Sequence, residues 1–192
     1  MWSKLQYHKP YGSLKQLSIP EQSWNSISMD FIEKLLLFSK FNTILVIVNW
    51  LTKQVIFISA HNTIISAELA HLFILHVFSK HSVPSYVTSD RSSEFMSNFF
   101  CSLGTTLNIW LHFTSDYYSK DDEQTEHTNQ TLEQYLCVYC NYQQDNWSEL
   151  LSLAEFAYNN ALSTTTSVSS FFTNKGYHSK ISVHPKYNIA FS

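Results

Sequence analysis

Three carboxylates occupy positions from which a chain could handle phosphate chemistry: Asp30, Asp90 and Glu126. Asp30 follows Ile27, Ser28 and Met29 in an alternating run that predicts an early strand. Asp90 ends the run Ser85-Tyr86-Val87-Thr88-Ser89, and Glu126 opens a long helical stretch. Two strand-borne aspartates and a helix-borne glutamate can converge at one edge of a sheet. Such hard oxygen donors suit Mg²⁺ or Mn²⁺, and because magnesium keeps several waters, a few carboxylates suffice. A phosphodiester under attack gains negative charge on both the entering and the leaving oxygen, and two ions roughly 4 Å apart can serve both. In that two-metal arrangement Asp30 would bridge the ions, with Asp90 on one and Glu126 on the other. Without metal, three clustered carboxylates repel, and at least one pKa should rise. Taken singly, each acid reads as an ordinary solvated or capping residue; their order and contexts together carry the reading.

The elements that must position them follow from hydrophobic periodicity. Ile27, Met29 and Phe31 alternate with Ser28 and Asp30, a half-buried strand. Thr43 to Val48 is a β-branched run suited to a central strand, and Gln54 to Ile58 pairs with it after a turn around Thr52-Lys53. Ser66 can cap a helix with Glu68 in its first turn, Leu69, Leu72, Phe73 and Val77 as its apolar stripe, and Pro84 beyond its end. After the strand to Asp90, a short helix is expected from about Glu94, using Phe95, Phe99 and Leu103, with Gly104 as its C-cap. Leu107 to Phe113 reads as a fifth strand. The Glu126 helix buries Leu132, Tyr135, Leu136 and Tyr139 and keeps Glu126, Gln130 and Glu133 on a polar side; Trp147 to Leu162 is a further amphipathic helix. The order predicts an α/β domain with a mixed five-stranded sheet flanked by helices.

Composition narrows the function classes. At 192 residues one domain is the default. Phe 14, Tyr 11 and Trp 5 supply a large core, whereas Gly 3 leaves tight turns to Asn, Asp or Ser. Three cysteines are too few for a disulfide framework and suggest a reducing compartment. No apolar run is long enough to span a membrane, and Met1-Trp2-Ser3-Lys4 does not open a signal peptide. The net charge of −3 argues against strong nonspecific DNA binding, which rests on Lys and Arg.

Longer motifs then identify a resemblance. They are Lys9-Pro10-Tyr11-Gly12, Trp24 to Ile32, Leu51-Thr52-Lys53, Val87-Thr88-Ser89-Asp90-Arg91 and Gln124-Thr125-Glu126. They continue through Asn129 to Leu136, Gln144-Asp145-Asn146-Trp147, Leu153 to Asn160 and Gly176-Tyr177-His178. Together they cover nearly the whole chain, which resembles the integrase catalytic core of gypsy-type long-terminal-repeat retrotransposons, related to retroviral integrases. The resemblance implies a ribonuclease H-like fold and a metal-bound Asp-Asp-Glu triad at Asp30, Asp90 and Glu126. It implies polynucleotidyl transfer on DNA, both element ends and target, with a homo-oligomer as a further option and no small-molecule substrate. Tyr117, Lys120, Gln124 and Asn129 are the candidate DNA contacts. Work on chromosomal DNA implies the nucleus, although no basic localisation cluster is present. Residues 1–25 then read as a linker from a missing upstream zinc-binding module, 26–165 as the core, and 166–192 as its C-terminal extension.

Departures from the family pattern point to a drifting copy. Ser92 replaces a glycine after Asp-Arg, and the usual Tyr-His-Pro-Gln-Thr-Asp-Gly loop reads Tyr117-Tyr118-Ser119-Lys120-Asp121-Asp122-Glu123. His127 stands for an arginine, and Asn49-Trp50 for an aspartate-arginine pair. The alternative to an active transferase is a catalytically silent relic, or a domesticated nucleic-acid- or protein-binding module. Other features take a plain reading. Cys137 and Cys140 are packing rather than half a zinc site, and His71 and His76 have the wrong spacing for a metal pair. Asp116, Asp121, Asp122 and Glu123 form a solvated loop, and Trp24, Trp110 and Trp147 belong to the core rather than to base-stacking platforms.

Overall fold

The computed structural model describes residues 19–90, 95–113, 123–140, 146–163 and 166–179, with the side chains of 98–99, 123–126 and 138–139 outside that set. Five strands form one mixed sheet: β1 (Ser26–Ile32), β2 (Thr43–Asn49), β3 (Val55–Ala60), β4 (Tyr86–Ser89) and β5 (Trp110–Phe113). Their spatial order is β3-β2-β1-β4-β5. β1, β2 and β3 are an antiparallel meander, whereas β4 and β5 run parallel to β1 and to each other. The parallel steps need crossovers, which helices supply. All seven residues of β2 are buried, as a β-branched strand covered on both faces should be.

Strand alternation divides the core into two layers. Ile27, Met29, Leu45, Ile47, Ile58 and Val87 face α1 (Ser66–Phe73) and α3 (Asn98–Thr106), meeting Leu69, Phe73 and Phe100. Ile32, Ile44, Val46, Val48 and Phe57 face the other way, toward Leu132 and Leu136 of α4 (Glu123–Tyr139) and Leu151 and Ala154 of α5 (Trp147–Asn160). α1 continues into a π-helical turn, Ile74–Phe78, and the short α2 (Ser79–His81). Burying side chains of this size is worth about 2 kcal/mol each, so the two layers hold the sheet far more firmly than its hydrogen bonds do.

The outer edge of the sheet is closed by side chains. Asn159 of α5 accepts from the Val55 amide at 2.8 Å and donates to the Val55 carbonyl at 2.9 Å, standing in for a missing strand. Glu155, one turn earlier, accepts from the Phe57 amide at 2.9 Å. Burial raises the Glu155 carboxyl pKa, against the opposing pull of that amide and of Lys80. Trp147 anchors the start of α5 by donating to the Leu36 carbonyl at 2.7 Å.

Several local expectations are corrected. The helix expected from Glu94 starts at Asn98, where the Ser97 hydroxyl accepts from the Phe100 amide at 3.2 Å. Phe95 stays outside it as a fully buried plug against Phe31 and Phe100. Gly104 is not a C-cap but lies inside α3, where an added Cβ would come 2.8 Å from a Leu111 methyl. Ile65, not Ser66, is the N-cap of α1, with Glu68 reaching back to the Ile65 amide at 3.2 Å. The fifth strand is shorter than expected, because Asn108 turns at φ 57° before it. Trp24 and Trp147 are buried as expected, but Trp110 is 67% exposed. Of the cysteine pair only Cys140 packs against the core; Cys137 is exposed.

A helix the sequence reading omitted, α6 (Ser170–Lys175), is capped by the Ser169 hydroxyl and closed by Gly176 in the left-handed conformation at φ 77°. The scarcity of glycine shows elsewhere: Ser39, Lys40, Lys53, Ser82, Asn108 and Ser167 all take positive φ. Residues before Ser26 already pack, since Ser23 donates to Asn174 of α6 and accepts from Asn49 at 2.8 Å. Asn49 is fully buried and also donates to Thr52 at 2.7 Å, tying the β2–β3 turn. No described helix is long and apolar enough to cross a membrane.

Candidate functional site

The register of β1 against β4 decides where the two aspartates stand. Ser28 pairs with Thr88 and Met29 with Ser89, so the next step of the ladder brings Asp30 level with Asp90. Neighbouring strands are about 4.8 Å apart, and level residues of parallel strands point to the same face. That face is the α4 side, because Asp30 alternates with Met29 and Phe31 of the opposite layer and shares its phase with Ile32. Asp30 is half-buried and Asp90, at the end of its strand, is exposed.

A polar contact docks α4 onto Asp30. Asn129 donates its amide to Asp30 Oδ2 at 2.7 Å, while Asp30 Oδ1 accepts from the Phe31 backbone N–H at 2.8 Å. Hydrogen bonds to a carboxylate are among the stronger ones, about 1.5–3 kcal/mol. Thr128, fully buried next to Asn129, meets the Tyr158 hydroxyl at 3.1 Å and so fixes α4 against α5. Glu126 lies one turn before Asn129, and residues three apart share a side of a helix. The backbone of α4 thus carries Glu126 on the side that meets Asp30, while its side chain is outside the described residues.

Among the described residues no three His, Cys, Asp or Glu side chains gather as a metal site. The donor set nonetheless fits a hard cation: two level carboxylates come from adjacent strands, and beside them the Asn129 side-chain oxygen is buried without a hydrogen-bond partner among the described residues. An orphaned acceptor in that position suits a water held by an ion.

Of the candidate DNA contacts, Asn129 is engaged with Asp30, and Gln124 lies in α4 with its side chain outside the described residues. Tyr117 and Lys120 are outside them altogether, as are Ser92, Asp116, Asp121 and Asp122. The contact between Asn129 and Asp30 was not anticipated; the only hint was its spacing of three from Glu126. A large cleft of about 960 Å³ lies off to the side, between α4, α5 and the β2–β3 turn, and neither aspartate lines it.

No family model matches the sequence. Its relatives include the Tf2-3 and Tf2-4 transposon polyproteins of Schizosaccharomyces pombe, each 31% identical over 169 residues. Those residues are 88% of this chain and 13% of each polyprotein, so the chain spans a small fraction of its relatives' length. Solved structures agree in fold. The simian T-cell lymphotropic virus intasome in complex with PP2A regulatory subunit B56 gamma matches with TM-score 0.69 and 19% identity, over 97% of this chain and 65% of that one. The HTLV-2 integrase catalytic core domain in complex with magnesium, in its dimeric form, matches with TM-score 0.60 and 17% identity over 77% and 94%. The BIV integrase catalytic core matches with TM-score 0.61 and 18% identity over 79% and 93%. The chain is thus similar in sequence to retrotransposon polyproteins and has the ribonuclease H-like fold of retroviral integrase catalytic cores.

Proposed function

We propose that this chain is the catalytic core of a polynucleotidyl transferase that joins retrotransposon DNA ends to target DNA, with Asp30, Asp90 and Glu126 as the residues that hold Mg²⁺ or Mn²⁺. The observation that carries the reading is the β1–β4 register, whose last pair, Met29 with Ser89, is followed on each strand by Asp30 and Asp90, with α4 bonded to Asp30 through Asn129. When bound, the two ions would supply Lewis-acid stabilisation of the charge that builds on the phosphodiester oxygens. The protein's own part is positional. Asn129 and the Phe31 amide orient the Asp30 carboxylate, the sheet sets the spacing between the aspartates, and the Thr128–Tyr158 contact holds α4 in place. The substrate is DNA, the place of action the nucleus, and the working form a homo-oligomer.

The test is a disintegration assay in Mn²⁺ and in Mg²⁺ with a branched DNA substrate. We expect weak turnover in Mn²⁺ and little in Mg²⁺, because Ser92, Ser119 and Glu123 replace the family's glycine, proline and glycine beside the site. A displacement of roughly 1 Å in a reacting group can cost about a hundredfold in rate. Reverting all three together should raise the Mg²⁺ rate, and Asp90→Asn should abolish activity without altering the far-ultraviolet circular dichroism. Full Mg²⁺ activity in the unaltered chain would remove the idea of decay. Activity that survives Asp90→Asn would remove the assignment of the site. Inactivity of both the unaltered and the reverted chain, with the fold intact, would favour a silent nucleic-acid-binding module.

A further inference from the structure

Trp110 is the aromatic residue whose placement departs most from expectation: it is 67% exposed, on the edge strand β5. Its registered neighbour on β4 is Tyr86, 51% exposed. Level residues of parallel strands share a face, so the indole and the phenol stand side by side. The next pair on that face is Thr88 with His112, and one further step of β4 reaches Asp90. Leu111 and Phe113, which alternate with Trp110 and His112, pack into the opposite layer. Tyr86, Trp110 and His112 therefore lie on the same face of the sheet as the two aspartates. Among the described residues α4 rests on β1 and β2 and α5 on β3, which leaves the β4–β5 half of this face without a helix over it.

We propose that Tyr86 and Trp110 form a stacking platform for an unpaired nucleobase of the DNA strand whose phosphodiester reaches Asp30 and Asp90. The proposal rests on the DNA-processing reading above. Four steps along the chain separate Tyr86 from Asp90, about 13 Å at the usual strand rise, a separation that a few nucleotides of single strand span. β5 is an edge strand and carries an exposed indole, with the phenol of Tyr86 on the adjoining β4 level with it. Stacking on an aromatic face is insensitive to base identity and independent of phosphate charge. That suits a chain with a net charge of −3, which draws little affinity from the DNA backbone. The bases of an intact duplex are already stacked, so the ligand is a single strand or a frayed end.

The experiment compares binding of the whole chain to a fluorescently labelled thymidine oligonucleotide and to an abasic strand of equal length, by anisotropy. Both strands present the same phosphates, and only the first offers bases. We expect the thymidine strand to bind about tenfold more tightly, as one stacked base would provide. Trp110→Ala should bring its affinity down to that of the abasic strand, leave abasic binding unchanged, and leave the melting temperature unchanged because the ring is exposed. Trp110→Phe should retain most of the preference, and it serves as the test should the alanine variant fold poorly. Equal binding of the two strands by the unaltered chain would overturn the platform and leave the DNA reading standing. Binding to neither strand would overturn both. If Trp110→Ala instead changes the molar mass in solution and not the base preference, the face belongs to a second copy of the chain and the platform is wrong.

Discussion

Asn129 does two things at once, holding α4 on the sheet and orienting Asp30. Asn129→Ala removes one hydrogen bond to a carboxylate, which should lower stability by about 2 kcal/mol in urea unfolding. The rate in the Mn²⁺ disintegration assay should fall by about tenfold or more, since Asp30 would be free to shift. A stability loss without a rate loss would make Asn129 purely structural. His81 offers a second residue-level prediction. Its ring stacks on Trp24 with centroids 3.9 Å apart, and burial, then Lys175 and Lys80, push its pKa down to about 4 from 6.5. The folded state therefore binds fewer protons here than the unfolded chain. The contribution is present above pH 6.5 and is lost as pH falls toward about 4. His81→Phe keeps a flat ring and should flatten that slope, measured as the urea midpoint against pH.

At the scale of elements, α5 acts as a substitute strand for the β3 edge. Asn159→Ala strands both the N–H and the C=O of Val55 in a buried position, and each orphaned group costs about 1–3 kcal/mol. We expect a loss of about 3 kcal/mol in urea unfolding, large for one side chain. Glu155→Gln is the contrasting case. The amide oxygen can still accept from Phe57, and no charge has to be buried, so stability near neutral pH should hold or rise. The element boundaries show where residue order is informative. Serine and glycine flank α6 as a readable cap pair, yet the six-residue segment between them is too short for a periodic signal. Gly104 misled for the opposite reason, because a glycine that makes room for a neighbouring strand looks like one that ends a helix.

The molecule as a whole exposes apolar side chains on both layers. Leu75 and Phe78 on the π-helical turn and Leu153 and Phe156 on α5 are all exposed, and Glu155 of α5 feels the charge of Lys80 from α2. Exposed apolar side chains on α5 suit a contact between copies. The expected outcome of Phe156→Glu is a shift toward monomer in analytical ultracentrifugation with the melting temperature nearly unchanged. A monomeric unaltered chain at tens of micromolar would set this surface aside.

Local order alone sufficed for the five strands and for α1, α3, α4 and α5, the two-faced alternation of β1, the fully buried β2 and the family resemblance, because hydrophobic periodicity and motif spacing are properties of neighbouring residues. The same reading put Asp30 in an alternating strand and Asp90 at the end of another, but nothing local states which strands are neighbours. That Asp30 and Asp90 stand level depends on β4 inserting beside β1 in parallel, a pairing between segments some sixty residues apart. Trp110 was read as core because indoles are usually buried; it is exposed because, among the described residues, no helix covers the β4–β5 half of its face. Edge position, register and the Asn129–Asp30 contact arise from which distant segments pack together, and that is settled by burying the whole of both layers at once.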